Sequence, residues 1–177
     1  MAYVSLDSDQ IKKAHKKHKY TKLQVEQLEQ CMDTKTGPLF FMRTFMRIQH
    51  PVKGSIPFEP YPYQERLIES YNDHRFSIAM LPRQTGKTTC ASGFLIWYAM
   101  FRPDSQILIA AHKYAGASDI MSRVRYAYEM LPSWIKAGVT QYNRNSIEFD
   151  NGSKISATCL LYTSPSPRDL STSRMPS

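Results

Sequence analysis

The chain has 177 residues, 42% hydrophobic, 12% aromatic and 21% charged. That is enough for one compact domain and too short for two of ordinary size, which excludes a complete multidomain machine. Eleven Tyr, eight Phe and two Trp exclude a wholly disordered chain, no apolar run reaches the ~18 residues of a membrane span, and the net charge of +8 suits a polyanionic partner such as nucleic acid without identifying one.

The N-terminus lacks the apolar core of a secretory signal, and three cysteines at positions 31, 90 and 159 form no ligand spacing. A soluble intracellular protein with reduced thiols and no metal cluster is expected. Residues 1–37 are polar, with seven Lys against five acids, and carry two weak helical patterns. One follows Asp9; the other follows Thr21, where Gln24 completes a capping box and Leu23, Leu28 and Met32 mark a thin apolar face. The Lys and His run from Lys12 to Lys22 reads as a solvated face, with phosphate contact as the alternative. In residues 38–60, Phe40, Phe41, Phe45 and Ile48 have near-helical spacing suited to packing, followed by a loop punctuated by Pro and Gly.

Residues 61–158 carry most of the information. A helix is predicted over 63–71, a buried strand over 75–82 (RFSIAMLP), a helix over 87–101 and a second buried strand over 106–112 (QILIAAH). Gly116 marks a loop before an amphipathic helix bearing Ile120, Val124, Ala127 and Leu131. SIEFD and SKISAT flank Asn151-Gly152 as a hairpin. Apolar strands alternating with helices predict an α/β fold with a mostly parallel sheet covered on both faces, the hairpin at or near one edge.

From Cys159 the composition shifts abruptly to three Pro, five Ser and two Thr in 19 residues. A disordered tail is the plain reading. CLLYTSPSPRD also resembles the translation of a transposase-type sequencing adapter, so genuine sequence is expected to end near Thr158. Removing the tail leaves +7 of the charge. The division is then 1–37, a polar helical segment; 38–158, a partial α/β domain; and 159–177, an artefactual tail.

Between the first predicted strand and its helix stands Leu81-Pro82-Arg83-Gln84-Thr85-Gly86-Lys87-Thr88-Thr89. A helix N-terminus presents unpaired N–H groups and the positive end of its dipole, so residues Gln84 to Thr89 can cradle the phosphates of a nucleotide. Gly86 removes a Cβ from the approach, Lys87 reaches the β- and γ-phosphates, and the Thr88 hydroxyl is a ligand for Mg²⁺. The alternative is a tight turn with a surface lysine. The loop departs from G-x-x-x-x-G-K-[ST] because Leu81 replaces the first Gly. It adds Arg83, four residues before the lysine, where a guanidinium can neutralise charge on the transferring phosphoryl group. An ion pair with a neighbouring carboxylate is the alternative for Arg83. Upstream, Tyr63 can stack on a base, and Gln64 offers a donor and an acceptor to adenine, with helix capping as the competing role.

Over about Phe40 to Thr158 the chain resembles the large terminase subunit of tailed bacteriophages. The resemblance rests on IQHPVKGSIPFEPYPYQ, RFSIAMLPRQTGKTT, ILIAAHKYAGASDIMSRVRYAYEMLP and NSIEFDNGSKISA. It implies a P-loop ATPase with ATP and Mg²⁺ as cofactors, in which Tyr63 and Gln64 fall on the adenine motif, Arg83 on the cis arginine, Lys87 on the Walker A lysine and Thr88 on its Mg²⁺ ligand. It implies double-stranded DNA, the portal and the small terminase subunit as partners, an oligomer on the portal, and the host cytoplasm as location. His112 and Lys113 match a segment near nucleotide and DNA in related translocases, with a solvated loop as the alternative. No Asp-Glu pair occurs in the chain, so the family's Walker B is missing and this stretch is expected to bind nucleotide without hydrolysing it. The alternatives are another helicase-like P-loop ATPase and a non-catalytic nucleic-acid-binding module.

Overall fold

The computed structural model describes residues 11–15, 18–50, 52 and 54–159. Helix α1 (Lys22–Met32) starts where the capping box predicts: the Thr21 hydroxyl accepts from the Gln24 amide at 3.4 Å, and the Gln24 side chain accepts from the Thr21 amide at 3.0 Å. The pattern following Asp9 lies partly outside the described residues. Residues 11–15 are not helical; Lys13 forms a parallel bridge to Val139, and the Lys12 ammonium donates to the Lys136 carbonyl at 2.8 Å. Helix α2 (Gly37–Phe45) has Pro38 in its first turn, where the missing N–H costs nothing, and buries Phe41, Met42 and Phe45. After it, the segment expected as a loop contains a short antiparallel hairpin, β1 (Arg47–His50) with β2 (Gly54–Pro57). Four-residue strands without clear alternation leave no readable period.

Helix α3 (Pro62–Asp73) leads to α4 (Lys87–Phe101), the centre of the core. Because α4 is apolar almost all the way round, it must be enclosed, and Cys90, Phe94, Ile96, Trp97 and Ala99 are buried. Each such large side chain contributes about 1.5–3 kcal/mol when removed from water. The Trp97 indole N–H donates to the Cys31 carbonyl at 2.8 Å, which ties α1 to this core and satisfies a polar group that burial would otherwise penalise. Gly93 lets α2 approach closely: a Cβ there would lie 2.5 Å from the Met46 sulfur and 2.6 Å from the Met42 methyl.

The sheet corrects the expected topology. β3 (Gln106–Ala111), β4 (Val139–Tyr142), β5 (Ser146–Phe149) and β6 (Lys154–Cys159) are ordered β3-β6-β5-β4. Only β3 and β6 are parallel; β6–β5 and β5–β4 are antiparallel, so the fold is α/β with a mixed, mainly antiparallel sheet. The β5–β6 hairpin occupies the centre, not an edge, because β6 inserts beside β3 with Ile107 opposite Ile155. Its connection is four residues, Asp150 to Ser153, with Gly152 at φ 83°. The face of β3 bearing Leu108 is open, with Leu108 65% exposed, so the sheet is not covered on both sides. Helix α5 (Tyr114–Glu129) packs Met121, Val124 and Ala127 inward and already includes Gly116, which the sequence placed in a loop.

The predicted strand over 75–82 is not formed. Phe76, Ile78 and Met80 are 82%, 93% and 93% exposed. A strand exists through its hydrogen-bonded neighbours, and none of the described strands lies beside this segment.

Candidate functional site

Residues 81 to 89 join the extended 75–80 segment to α4 and turn sharply. Two of them hold left-handed backbone, Gln84 at φ 63° and Gly86 at φ 75°; the second is the N-cap of α4. A non-glycine residue in that region carries a conformational cost, and such costs concentrate where backbone N–H groups are aimed at a ligand. Gly86 is required twice over, because a Cβ would also meet the Gln64 amide nitrogen at 2.6 Å.

Side chains hold the loop from within and from below. The Thr85 hydroxyl donates to the Pro82 carbonyl at 3.0 Å, and the Lys87 ammonium donates to the same carbonyl at 3.1 Å. From α3, the Tyr63 hydroxyl and the Gln64 amide nitrogen both donate to the Thr85 carbonyl, each at 3.0 Å. The other end of the Gln64 amide accepts from the Tyr61 amide at 3.0 Å. Gln64 therefore both caps its helix and tethers the loop, and it is only 5% exposed. The structure thus brings together Tyr63, Gln64, Thr85, Gly86 and Lys87, residues more than twenty positions apart in part.

Arg83 is exposed at the loop tip and makes no ion pair among the described residues. Thr88 sits in the first turn of α4, its carbonyl accepting from the Ser92 hydroxyl at 2.8 Å. Thr89 faces a cleft toward β1 and α5. His112 and Lys113 are exposed at the end of β3, where the His112 carbonyl accepts from the Cys159 thiol at 3.3 Å; among the described residues neither is hydrogen-bonded to the loop. The sequence reading missed Tyr61. Its ring stacks on Tyr63 with centroids 5.8 Å apart and planes at 6°, and it is 64% exposed beside the loop. The signal was present as two tyrosines flanking Pro62.

Cys31 and Cys90 have no activating surroundings. Burial raises the Cys31 thiol to about 12 and the Cys90 thiol to about 11, so both are protonated at neutral pH. No helix among the described residues is long and apolar enough to cross a membrane.

Residues 78–169 match the family model of the terminase large subunit, T4likevirus-type, N-terminal region. The matched span is just over half of the chain, and it takes in the loop from Arg83 to Thr89, α4, β3, α5 and the β5–β6 hairpin. The chain belongs to this family of phage genome-packaging proteins. The α3 residues Tyr63 and Gln64 precede the match, and the match includes residues 159–169, part of the adapter-like stretch. Residues 160–177 lie outside the described residues.

Proposed function

We propose that this chain is the nucleotide-binding part of a phage DNA-packaging ATPase, with the loop from Leu81 to Thr89 as its Walker A element. The observation that carries the reading is the convergence of Tyr63 and Gln64 on the Thr85 carbonyl, at the mouth of a loop with two left-handed residues and a helix N-terminus. Exposed aromatic rings at one end and backbone N–H groups with a lysine at the other suit the two ends of a nucleoside triphosphate, with Gln64, buried and engaged at both ends, holding the loop rather than offering its amide to the base. The exposed Tyr61–Tyr63 stack offers a face to a base.

In this reading Lys87 exchanges the Pro82 carbonyl for phosphate oxygens, a charge-assisted contact stronger than the neutral one it replaces. Thr88 fits Mg²⁺ as one hard oxygen ligand, the remaining positions going to phosphate and water. Arg83 would neutralise charge on the phosphoryl group as it transfers, a role its exposure and the lack of an ion pair among the described residues leave open to it. No Asp-Glu pair stands in this sequence to orient water, so binding rather than turnover is the activity proposed for it. Double-stranded DNA, the portal and the small subunit are the partners proposed for the intact subunit. Isothermal titration with Mg-ATP tests the reading: wild type binds and Lys87→Ala does not. A chain that binds no nucleotide, or binds equally well as Lys87→Ala, leaves the loop as a structural turn.

A further inference from the structure

Two clefts meet on helix α5. One, of about 460 Å³, lies between β1, the first turns of α4 and α5, and is lined by Arg47, Thr89 and Arg123 among others. The second, of about 450 Å³, is lined by Tyr114, Ser118, Arg125 and Arg144. Asp119 and Ser122 line both, so the two clefts adjoin along α5 and together form a groove-like surface from Thr89 to the β4–β5 turn at Arg144.

The groove is strongly basic. Four arginines line it against a single carboxylate, Asp119, which pairs with Arg123 at 3.3 Å. The other three guanidinium groups are in no ion pair among the described residues, and each is differently held. Arg47 donates to the Ser55 hydroxyl at 3.0 Å and the Ser55 carbonyl at 3.2 Å. Arg125 stands over the Tyr142 ring, 5.0 Å from its centroid, and its Nε is buried with no hydrogen-bond partner among the described residues. Arg144 is exposed in its turn. A guanidinium braced against a ring loses little freedom when it binds an anion, and its planar fork matches two phosphate oxygens.

We infer that this groove seats the phosphate backbone of double-stranded DNA, with Arg125 and Arg144 as principal contacts and Arg47 and Arg123 at the end nearer the nucleotide loop. The inference rests on the reading of the chain as part of a DNA-packaging ATPase and locates the DNA on it. Hydroxyls of Tyr114 and Ser118 beside the arginines give neutral donors of the kind that fix backbone register without reading sequence. Continuity with Thr89 places the DNA track beside the first turn of α4, the element that also carries Lys87 and Thr88.

The test is fluorescence anisotropy with the full chain and a labelled duplex of about 30 base pairs, between about 50 and 200 mM KCl. Arg125→Gln and Arg144→Gln each weaken binding equally for two unrelated sequences and each lower the slope of log K against log salt by about one, the double variant by about two. Arg144→Lys keeps the slope because the charge remains. Lys35→Gln, remote from the groove, changes nothing, and ATP affinity is the same in all five variants and wild type. An unchanged slope in the folded double variant overturns the inference, as does equal weakening in Lys35→Gln. Loss of ATP affinity in Arg144→Gln also overturns it, by assigning the groove to nucleotide phosphates. A wild-type chain that binds no duplex overturns the DNA track, while ATP binding that depends on Lys87 keeps the nucleotide reading intact.

Discussion

The Gln64 side chain bridges two elements through its two ends, accepting from the Tyr61 amide and donating to the Thr85 carbonyl, each at 3.0 Å. One buried amide thus sets the start of α3 and the position of the loop before α4. Gln64→Ala leaves the Tyr61 amide without this partner and loosens the loop, for a loss of about 1–3 kcal/mol. Chemical denaturation measures that loss, and titration with Mg-ATP shows affinity falling with it. Gln64→Glu is expected to fare no better, because a carboxylate cannot donate to Thr85.

Gly86→Ala meets two obstacles at one position. Left-handed backbone at φ 75° disfavours any Cβ, and that Cβ would stand 2.6 Å from the Gln64 amide nitrogen. Destabilisation of about 1–3 kcal/mol is expected. ATP affinity should drop further than stability alone explains, read by comparing titration with the melting shift.

Lys87 and Arg83 should differ in kind in the intact subunit. Lys87→Ala weakens nucleotide binding and abolishes hydrolysis together, because the lysine touches phosphates before reaction begins. Arg83→Ala keeps ATP affinity within several-fold and lowers turnover by about 10³ or more, the range for arginine fingers. Steady-state kinetics beside equilibrium binding separates the two. Proportional loss of binding and rate in Arg83→Ala makes it a ground-state phosphate ligand instead.

Phe76, Ile78 and Met80 alternate along an exposed extended segment and invite edge pairing between molecules. Replacing all three with Ser should suppress association seen by light scattering while leaving the melting temperature nearly unchanged, since these side chains contribute little burial here. A large fall in melting temperature would show that they pack in solution.

Stability should decline in alkali. The Cys31 thiol titrates near 9.0 when unfolded and is raised to about 12 by burial when folded. Above pH 9 the unfolded chain releases this proton first, so the contribution is full below about 9 and is lost progressively as pH rises toward 12. Denaturation midpoints across that window check the sign, and Cys31→Ala should flatten the slope.

What the sequence revealed follows from how local each feature is. Helix α4 was read with both ends correct, because Gly86 and Lys87 open an apolar run and Arg102-Pro103 ends it. The capping box at Thr21 and Gln24 likewise involves neighbours only. Sheet order depends on which distant strands pair. Ile107 opposite Ile155 could not be read from either segment alone, so the parallel sheet and the edge hairpin were both wrong. The strand over 75–82 had the right composition and no partner to make it a strand. Within the candidate site, the loop was legible from Gln84 to Thr89, but the tether through Thr85 and the Tyr61 stack appear only once α3 is folded against it.

Genuine sequence is proposed to end near Thr158. Independent amplification of the source DNA should show the reading frame continuing differently beyond that residue; recovery of the same Ser- and Pro-rich stretch would make it part of the protein.

The central claim is that Leu81 to Thr89 binds the phosphates of a nucleotide through a loop steered by α3. Isothermal titration of the chain with Mg-ATP, alongside Lys87→Ala and Tyr63→Ala, tests it most directly. Saturable one-to-one binding is expected in the wild type, abolished in Lys87→Ala and weakened in Tyr63→Ala. Equal heats in all three proteins would contradict it.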